Sequence, residues 1–360
     1  MLSPLDDLPV HQVTETMATV GTTDRHFYDR YYFNLHNCSD ELFLAVGHGQ
    51  YPNLGTSDAF LAVARDGTQH VVRASRELGL DRLDTRVGPI GIEVEEGLER
   101  LRIVCDAAEH GIEADLRWQG AIPAHEEPRH RNQAPHGRVV MDTMRFAQTG
   151  RWSGSLRIDD WEFEVTPDTW WGNRDRSWGT RPVGEPEPAG IGGAIRGFFW
   201  QYAVPQFADG TTILYLVQEE PDGMRVMERA VRLHPDGASE DLGRPQHDLE
   251  FDAGTRNWRR AEVRFAGGLT MTAESLRPLH ISRGTGYGFD EDWRHGMYQG
   301  PEPVTQHVTF DISDPEAVQP IPGAIVDHAA RFTTSEGDEG YGLFEIMTLG
   351  PHERYFEGWD

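Results

Sequence analysis

The sequence predicts an all-β fold of antiparallel strands, arranged as two tandem barrel or sandwich units with few short helices. Short segments that are apolar, or that alternate between apolar and polar residues, recur along the chain, and turn residues separate them about every 8–12 positions. The 360 residues include 39 glycines and 22 prolines, which disfavour long helices. The two halves of the chain also share one pattern, which favours a duplicated unit.

The expected elements follow from the composition of each segment. The strands predicted in the first half are 25–37, 41–49, 58–67, 70–78, 97–106, 112–120 and 173–179. Those predicted in the second half are 197–204, 211–220, 224–233, 260–267 and 268–276. Asp-Gly pairs at 66–67 and 222–223 predict hairpin turns. Short helices are expected at the start of the chain and over 313–319.

The repeat is visible as a shared order of motifs. Each half contains a predicted hairpin, at 60–78 and at 214–233, followed by a strand that ends in a Pro-x-His corner, at 123–125 and at 278–280. This similarity predicts two copies of one antiparallel unit.

The duplication sets the expected domain organisation. A segment rich in proline and glycine at 183–197 has the composition of a linker. We therefore expect a first β domain over 1–182 and a second over 198–360. The segment WWGNRDRSWG lies just before the linker, where the two units would meet.

Composition excludes several classes of function. The net charge of −26 disfavours nucleic acids and anionic membranes as partners. All 33 basic residues are arginine, so mechanisms that need a lysine, such as Schiff-base chemistry, pyridoxal phosphate anchoring and the phosphate-binding loop, are excluded. No long apolar segment and no basic, apolar leader is visible, which predicts a cytoplasmic protein without membrane insertion.

The segment WWGNRDRSWGTRP, residues 170–182, combines three tryptophans, three arginines and one aspartate. In a strand, alternation places Arg174, Arg176 and Trp178 on one face and Asp175 and Ser177 on the other. Asp175 is either a general acid or base in an aromatic cavity, with a pKa raised by burial, or a buried ion-pair partner between the units. The pattern does not decide which face is turned inward.

Other segments offer weaker candidates. His48, Tyr51 and Asn53 lie in a Gly/Pro-bearing loop that could reach a ligand, or in a simple tight turn. Tyr32 could line a pocket, although such residues more often fill a barrel wall.

The later part of the chain adds Trp293 and Tyr298, which lie in an aromatic and acidic loop. Asp327 and His328 are neighbours on a strand and would point in opposite directions, so they form a poor dyad. The histidines of 124–137 lack the spacing of metal ligands, and no metal site is expected.

The stretch 145–182 resembles the two-domain lipocalin-like group that contains carotenoid hydratase (hydroxyneurosporene synthase), tocopherol cyclases and kievitone hydratase. It is most similar to uncharacterised bacterial members with a G-x-R-D-x-S-W-G-x-R run, matched here by Gly172, Arg174, Asp175, Ser177, Trp178, Gly179 and Arg181. The resemblance implies two calyx-like β domains, no organic cofactor, a hydrophobic ligand, and acid-assisted hydration, cyclisation or isomerisation. By motif position, it implies that Asp175 is the acid.

Together these observations predict a cofactor-independent lyase, hydratase or isomerase that acts on a hydrophobic small molecule such as a terpenoid, steroid or aromatic catabolite. The expected catalytic residues are Asp175 and His48. The expected substrate-binding residues are Arg174, Arg176, Trp178, Trp171, Tyr32, Tyr51, Asn53, Trp293 and Tyr298. Two alternatives stay open: a non-catalytic carrier of an apolar metabolite, and a sugar-binding β protein. A homodimer is compatible with the sequence.

Overall fold

The computed structural model describes residues 2–10, 13–134, 136–185, 197–253, 255–287, 290–314 and 325–358. Its regular structure is almost entirely β-strand, with two short 3-10 turns at Pro4–Asp7 and Ala108–His110. The first turn lies where a helix was expected at the start of the chain. The helix expected over 313–319 falls almost wholly outside the described residues. No helix in the described part of the chain has the length and apolar character of a membrane span.

Twelve strands precede the expected linker among the described residues. They are β1 (Phe27–His36), β2 (Phe43–Tyr51), β3 (Thr56–Arg65), β4 (Thr68–Glu77), β5 (Ile90–Glu96), β6 (Arg100–Ala107), β7 (Ile112–Gly120), β8 (His125–Glu126), β9 (His130–Gln133), β10 (Val139–Ile158), β11 (Trp161–Val165) and β12 (Trp171–Thr180).

Ten more strands follow it. They are β13 (Phe198–Phe207), β14 (Thr212–Glu219), β15 (Arg225–Leu233), β16 (Ser239–Asp241), β17 (Gln246–Phe251), β18 (Trp258–Arg264), β19 (Thr270–Leu279), β20 (Val304–Asp311), β21 (Val326–Thr334) and β22 (Glu339–Leu349). All the strands predicted from the sequence are present, with ends shifted by a few residues.

The strands form two curled antiparallel sheets that share one topology. Sheet A has the central order β4-β3-β2-β1-β12-β10-β7-β6-β5, and sheet B has the order β16-β15-β14-β13-β22-β21-β19-β18-β17. In both sheets the first strand of the unit pairs with its last strand, and meanders extend to either side. This identity of strand order confirms the predicted two-unit, all-β fold class.

In each unit, one connection between strands extends toward the other unit. In the first unit, the connection between β7 and β10 carries β8 and β9, and it places Ile122 in the apolar layer shared with the second unit. In the second unit, the equivalent connection between β19 and β21 carries β20, which pairs with β4 at the edge of sheet A. Sheet A therefore contains a strand from the range 198–360. Most of the expected linker, residues 186–196, lies outside the described residues.

Strand alternation divides the apolar side chains into three layers. Strand β1 turns Tyr31, Phe33 and Leu35 into the interior of the first unit, whereas Tyr32 points to a layer between the two sheets. A third cluster fills the interior of the second unit. The hairpin turn between β3 and β4 uses left-handed conformations at Asp66 (φ 48°) and Gly67 (φ 81°), as the Asp-Gly pair predicts.

Gln69 on β4 of the first unit binds the connection between β19 and β21 of the second unit. Its fully buried amide donates to the carbonyl of His280 at 3.0 Å and accepts from the amide of His280 at 2.8 Å. A substitution that removes the Gln69 amide leaves the buried C=O and N–H groups of His280 without these hydrogen bonds. Such unpaired groups lower the free energy of unfolding.

We therefore expect Gln69→Leu to lower the free energy of unfolding by about 1–3 kcal/mol, measured by urea denaturation. Gln246→Leu, at an exposed position of β17, is the matched control and should change stability little. Equal effects of the two substitutions would contradict this account of Gln69.

Candidate functional site

A cavity of about 190 Å³ lies between the two units. Sheet A contributes residues of β1, β10 and β12, sheet B contributes residues of β13, β14, β15 and β22, and the segment between β7 and β10 covers one side. The lining is apolar at Phe198, Leu216 and three methionines, and it also contains several charged groups. Such a mixture of apolar walls and a few polar groups is typical of small-molecule sites.

Strand β12 separates its charged residues onto two faces. Arg174 and Arg176 point into the interior of the first unit and are fully buried there. Arg174 donates to both oxygens of Asp7, at 2.6 and 3.0 Å, and Arg176 forms an ion pair with Asp29. These arginines are structural partners of buried acids and do not line the cavity.

The alternate face of β12 turns Asp175 and Ser177 to the cavity. In the sheet, Asp175 lies between Tyr32 of β1 and Ala147 of β10. Burial raises the pKa of Asp175 to about 6, against the opposing charge of Arg145. Among the described residues, none donates a hydrogen bond to the Asp175 carboxylate or forms an ion pair with it.

A pair of acids from the second unit lies behind Tyr32. The Tyr32 hydroxyl donates to Asp327, and Glu345 is the cross-strand neighbour of Asp327. Glu345 also accepts a hydrogen bond from the Trp200 indole at 2.5 Å. Burial and the adjacent negative charge of Glu345 hold the pKa of Asp327 well above its usual range, and burial also raises the pKa of Glu345. Both effects favour the protonated form of one carboxyl of this pair.

On another wall, Arg145 is held by partners from both units. Its Nε donates to Glu127 Oε2 at 2.8 Å, and its guanidinium lies over the Tyr202 ring at 4.4 Å from the centroid. The Tyr202 hydroxyl donates to Glu127 Oε1 at 2.9 Å. These contacts fix the position of the Arg145 guanidinium, whose positive charge opposes the rise in the pKa of Asp175.

Of the residues predicted from the sequence, Asp175 and Tyr32 line the cavity. His48 points into the interior of the first unit, next to Tyr31, and therefore lies apart from Asp175. Burial there lowers the pKa of His48 to about 3. Trp178 is partly buried on the same inner face, against Phe146, and Trp171 packs at a distant edge against Tyr341.

The remaining predicted residues also lie away from the cavity. Tyr51 is buried and donates to Asp58 at 3.0 Å, and Asn53 donates to backbone carbonyls of a surface loop. Trp293 packs beneath the guanidinium of Arg73, and Tyr298 is 56% exposed. Asp327 and His328 point to opposite faces of their strand, as the sequence predicts. His328 contacts Trp258 inside the second unit.

Sequence reasoning missed Arg30, Glu127, Arg145, Trp200 and Glu345 as cavity residues. Arg145 lies within the segment that carried the family resemblance, but nothing local distinguished it from other strand residues. Clusters of three or more histidine, cysteine, aspartate or glutamate side chains able to hold a metal ion are not found in the described ranges.

The chain thus consists of two antiparallel β units of equivalent strand order, with a cavity between them. By sequence, residues 2–356 match a family model described as "Family of unknown function (DUF8625)", and the chain belongs to that family. No protein of curated function matches the chain significantly.

One solved structure shows the same overall fold at low sequence identity, and two others align along most of the chain with lower scores. A Nitrosomonas europaea protein given the name AttH has a TM-score of 0.57 at 14% identity, over 94% of this chain and 98% of its own. Kievitone hydratase from Nectria haematococca has a TM-score of 0.46 at 13% identity, over 98% of this chain and 99% of its own. CghA has a TM-score of 0.46 at 11% identity, over 90% and 89% of the two chains.

The pairing of Arg174 with Asp7 predicts a large contribution to stability. Asp7→Asn leaves a buried guanidinium without a counter-charge, so we expect a loss of about 3–5 kcal/mol in the free energy of unfolding, measured by urea denaturation. Asp168→Asn, at an exposed position, is the control and should be nearly neutral. Native-like stability of Asp7→Asn would show that the ion pair is dispensable.

Proposed function

We propose that the cavity is the active site of a lyase, hydratase or isomerase that moves a proton on a hydrophobic small molecule, with Asp175 as the acid/base group. The observation that carries the proposal is the state of the Asp175 carboxylate. It faces the cavity, has no protein hydrogen-bond donor among the described residues, and has a pKa raised to about 6. A pKa near the working pH is what general acid–base catalysis needs.

The two acidic groups of the cavity have different expected roles. Near neutral pH, Asp175 is mostly ionised and takes the proton from the substrate. The protonated carboxyl of the Asp327–Glu345 pair supplies a proton either through Glu345, on the wall opposite Asp175, or through Tyr32, on the strand next to Asp175. Environments that push the pKa values of neighbouring acids apart are typical of acid–base pairs in enzymes.

The walls support a hydrophobic substrate. Trp200, Phe198 and Leu216 give apolar contact surface, and the aromatic faces of Trp200 and Tyr202 also accept cations, as the position of Arg145 illustrates. The resemblance of residues 172–181 to the hydratase group supports the same reaction class. Carriage of an apolar metabolite without chemistry is the alternative, and the experiment below separates the two.

The remaining expectations from the sequence stay predictions. They are a cytoplasmic location, the absence of a nucleic-acid partner, which agrees with the net charge of −26, and a homodimer as a compatible assembly.

Proton transfer can be tested without knowing the complete reaction. We expect the native protein to catalyse exchange of deuterium from D₂O into a ligand identified by native mass spectrometry of protein incubated with cell extract. Asp175→Asn should lower this exchange at least a hundredfold, since general acid–base catalysis contributes about 10²–10⁴-fold. Nuclear magnetic resonance of the ligand measures the rate.

Asp168→Asn is the matched control for this experiment, and it should exchange like the native protein. The thermal midpoint of Asp175→Asn should stay within a few degrees of native, because no described residue donates a hydrogen bond to the carboxylate. Full exchange activity in Asp175→Asn would support the carrier instead.

The pKa of Asp175 also predicts a pH profile. If the ionised carboxylate is the base, kcat/KM falls as the pH drops through about 6, because the carboxylate becomes protonated. The limb with its midpoint near pH 6 should be absent from the residual activity of Asp175→Asn. An activity that instead rises as the pH drops through 6 would assign Asp175 as the acid.

A further inference from the structure

One cation of the cavity differs from all the other buried arginines described above. Arg30 on β1 is only 3% exposed and lines the cavity. Its Nε and Nη1 atoms have no hydrogen-bond partner within the described part of the chain. Arg174, Arg176 and Arg145 each pair with a carboxylate, whereas Arg30 has no carboxylate oxygen within 4 Å among the described residues.

The neighbours of Arg30 do not neutralise it. Its guanidinium lies over the Tyr287 ring at 5.1 Å, and the guanidinium of Arg181 lies 5.8 Å from the same ring. Two cations therefore flank one phenol at this end of the cavity. Asp58 contributes a more distant negative charge, but its oxygens accept hydrogen bonds from Tyr51 at 3.0 Å and from the Gly296 amide at 2.7 Å.

A buried guanidinium with unpaired N–H groups is unfavourable unless an anion completes it. The planar fork of arginine matches a carboxylate bidentately, and the charge makes these hydrogen bonds strong. Tyr287 and Tyr28, which also line this end, add aromatic faces rather than a counter-charge.

The sheet register places this cation beside Asp175. Arg30 pairs with Ser177, and Tyr32 pairs with Asp175, so Arg30 and Asp175 are diagonal neighbours on one face of sheet A. Diagonal neighbours of this kind lie about 7–8 Å apart, with a somewhat shorter distance between their Cβ atoms. A group held by Arg30 therefore lies only a few bonds from an atom that Asp175 can reach.

We propose that the ligand of this cavity is a small carboxylic acid with an apolar body, whose carboxylate binds Arg30 with Arg181 beside it. The apolar body packs against Phe198, Trp200 and Leu216. The size of the cavity suits a ligand with one ring, since an engineered cavity of about 150 Å³ in another protein holds benzene. The position of the reacting carbon, near the carboxylate and facing Asp175, rests on the proposed function, whereas binding of the acid does not.

The test compares two probes of equal shape, trans-cinnamate and trans-cinnamamide, by isothermal titration calorimetry at pH 7.5. We expect the native protein to bind cinnamate at least tenfold more tightly than cinnamamide. Arg30→Gln should reduce this preference to less than twofold. Arg259→Gln, at a position with 62% side-chain exposure, should keep the native preference.

Two further measurements keep the test decisive. Where Arg30→Gln does not fold, Arg181→Gln should still reduce the preference about threefold, because Arg181 flanks the same anion. No binding of cinnamate up to 10 mM, no preference in the native protein, or an unchanged preference in folded Arg30→Gln would overturn the proposal.

Asp175→Asn separates this proposal from the proposed function. It should keep the preference for cinnamate while losing deuterium exchange. A native protein that prefers cinnamate but exchanges no deuterium in its ligand would refute only the catalytic role of Asp175.

Discussion

Two buried ion pairs, Arg174 with Asp7 and Arg176 with Asp29, fix the orientation of strand β12. Both arginines have side chains that are 0% exposed, and their partner acids are almost equally buried. Because side chains alternate along a strand, holding 174 and 176 inside the first unit forces Asp175 to the opposite face. The orientation of Asp175 toward the cavity thus depends on charged side chains that do not line the cavity.

The cavity exists because two similar units are joined with their sheets face to face. Each unit alone has one filled interior and one face that needs cover. The connection before β10 and the connection before β21 occupy equivalent places in the duplicated topology, and both lean toward the other unit. The first contributes Glu127 and the second contributes Tyr287 to the lining, so the site is asymmetric although the units share one strand order.

The charged residues of the cavity differ in whether they have a partner among the described residues. Arg145 forms an ion pair with Glu127, and Asp327 accepts a hydrogen bond from Tyr32 and lies beside Glu345 in the sheet. Asp175 and Arg30 have no such partner among the described residues. An acid with a pKa of about 6 and a cation that has no carboxylate partner in the described part of the chain therefore lie on one face of sheet A.

The sequence by itself determined the local features of this protein. Apolar alternation and turn residues predicted the strands, Asp66–Gly67 predicted a hairpin turn, and the two halves predicted a repeated unit. Alternation also separated Asp175 from Arg174 and Arg176 correctly, since it depends only on the extended backbone.

Only the tertiary structure decided which of these faces meets the cavity. The acids that hold Arg174 and Arg176 inward come from Asp7 and Asp29, and the acid pair opposite Asp175 comes from Asp327 and Glu345 in the second unit. His48 belongs to the interior because its strand alternates in the same way as its inward neighbours Leu44 and Val46. Such contacts join residues far apart in the chain, and no local periodicity encodes which distant charge a side chain will meet.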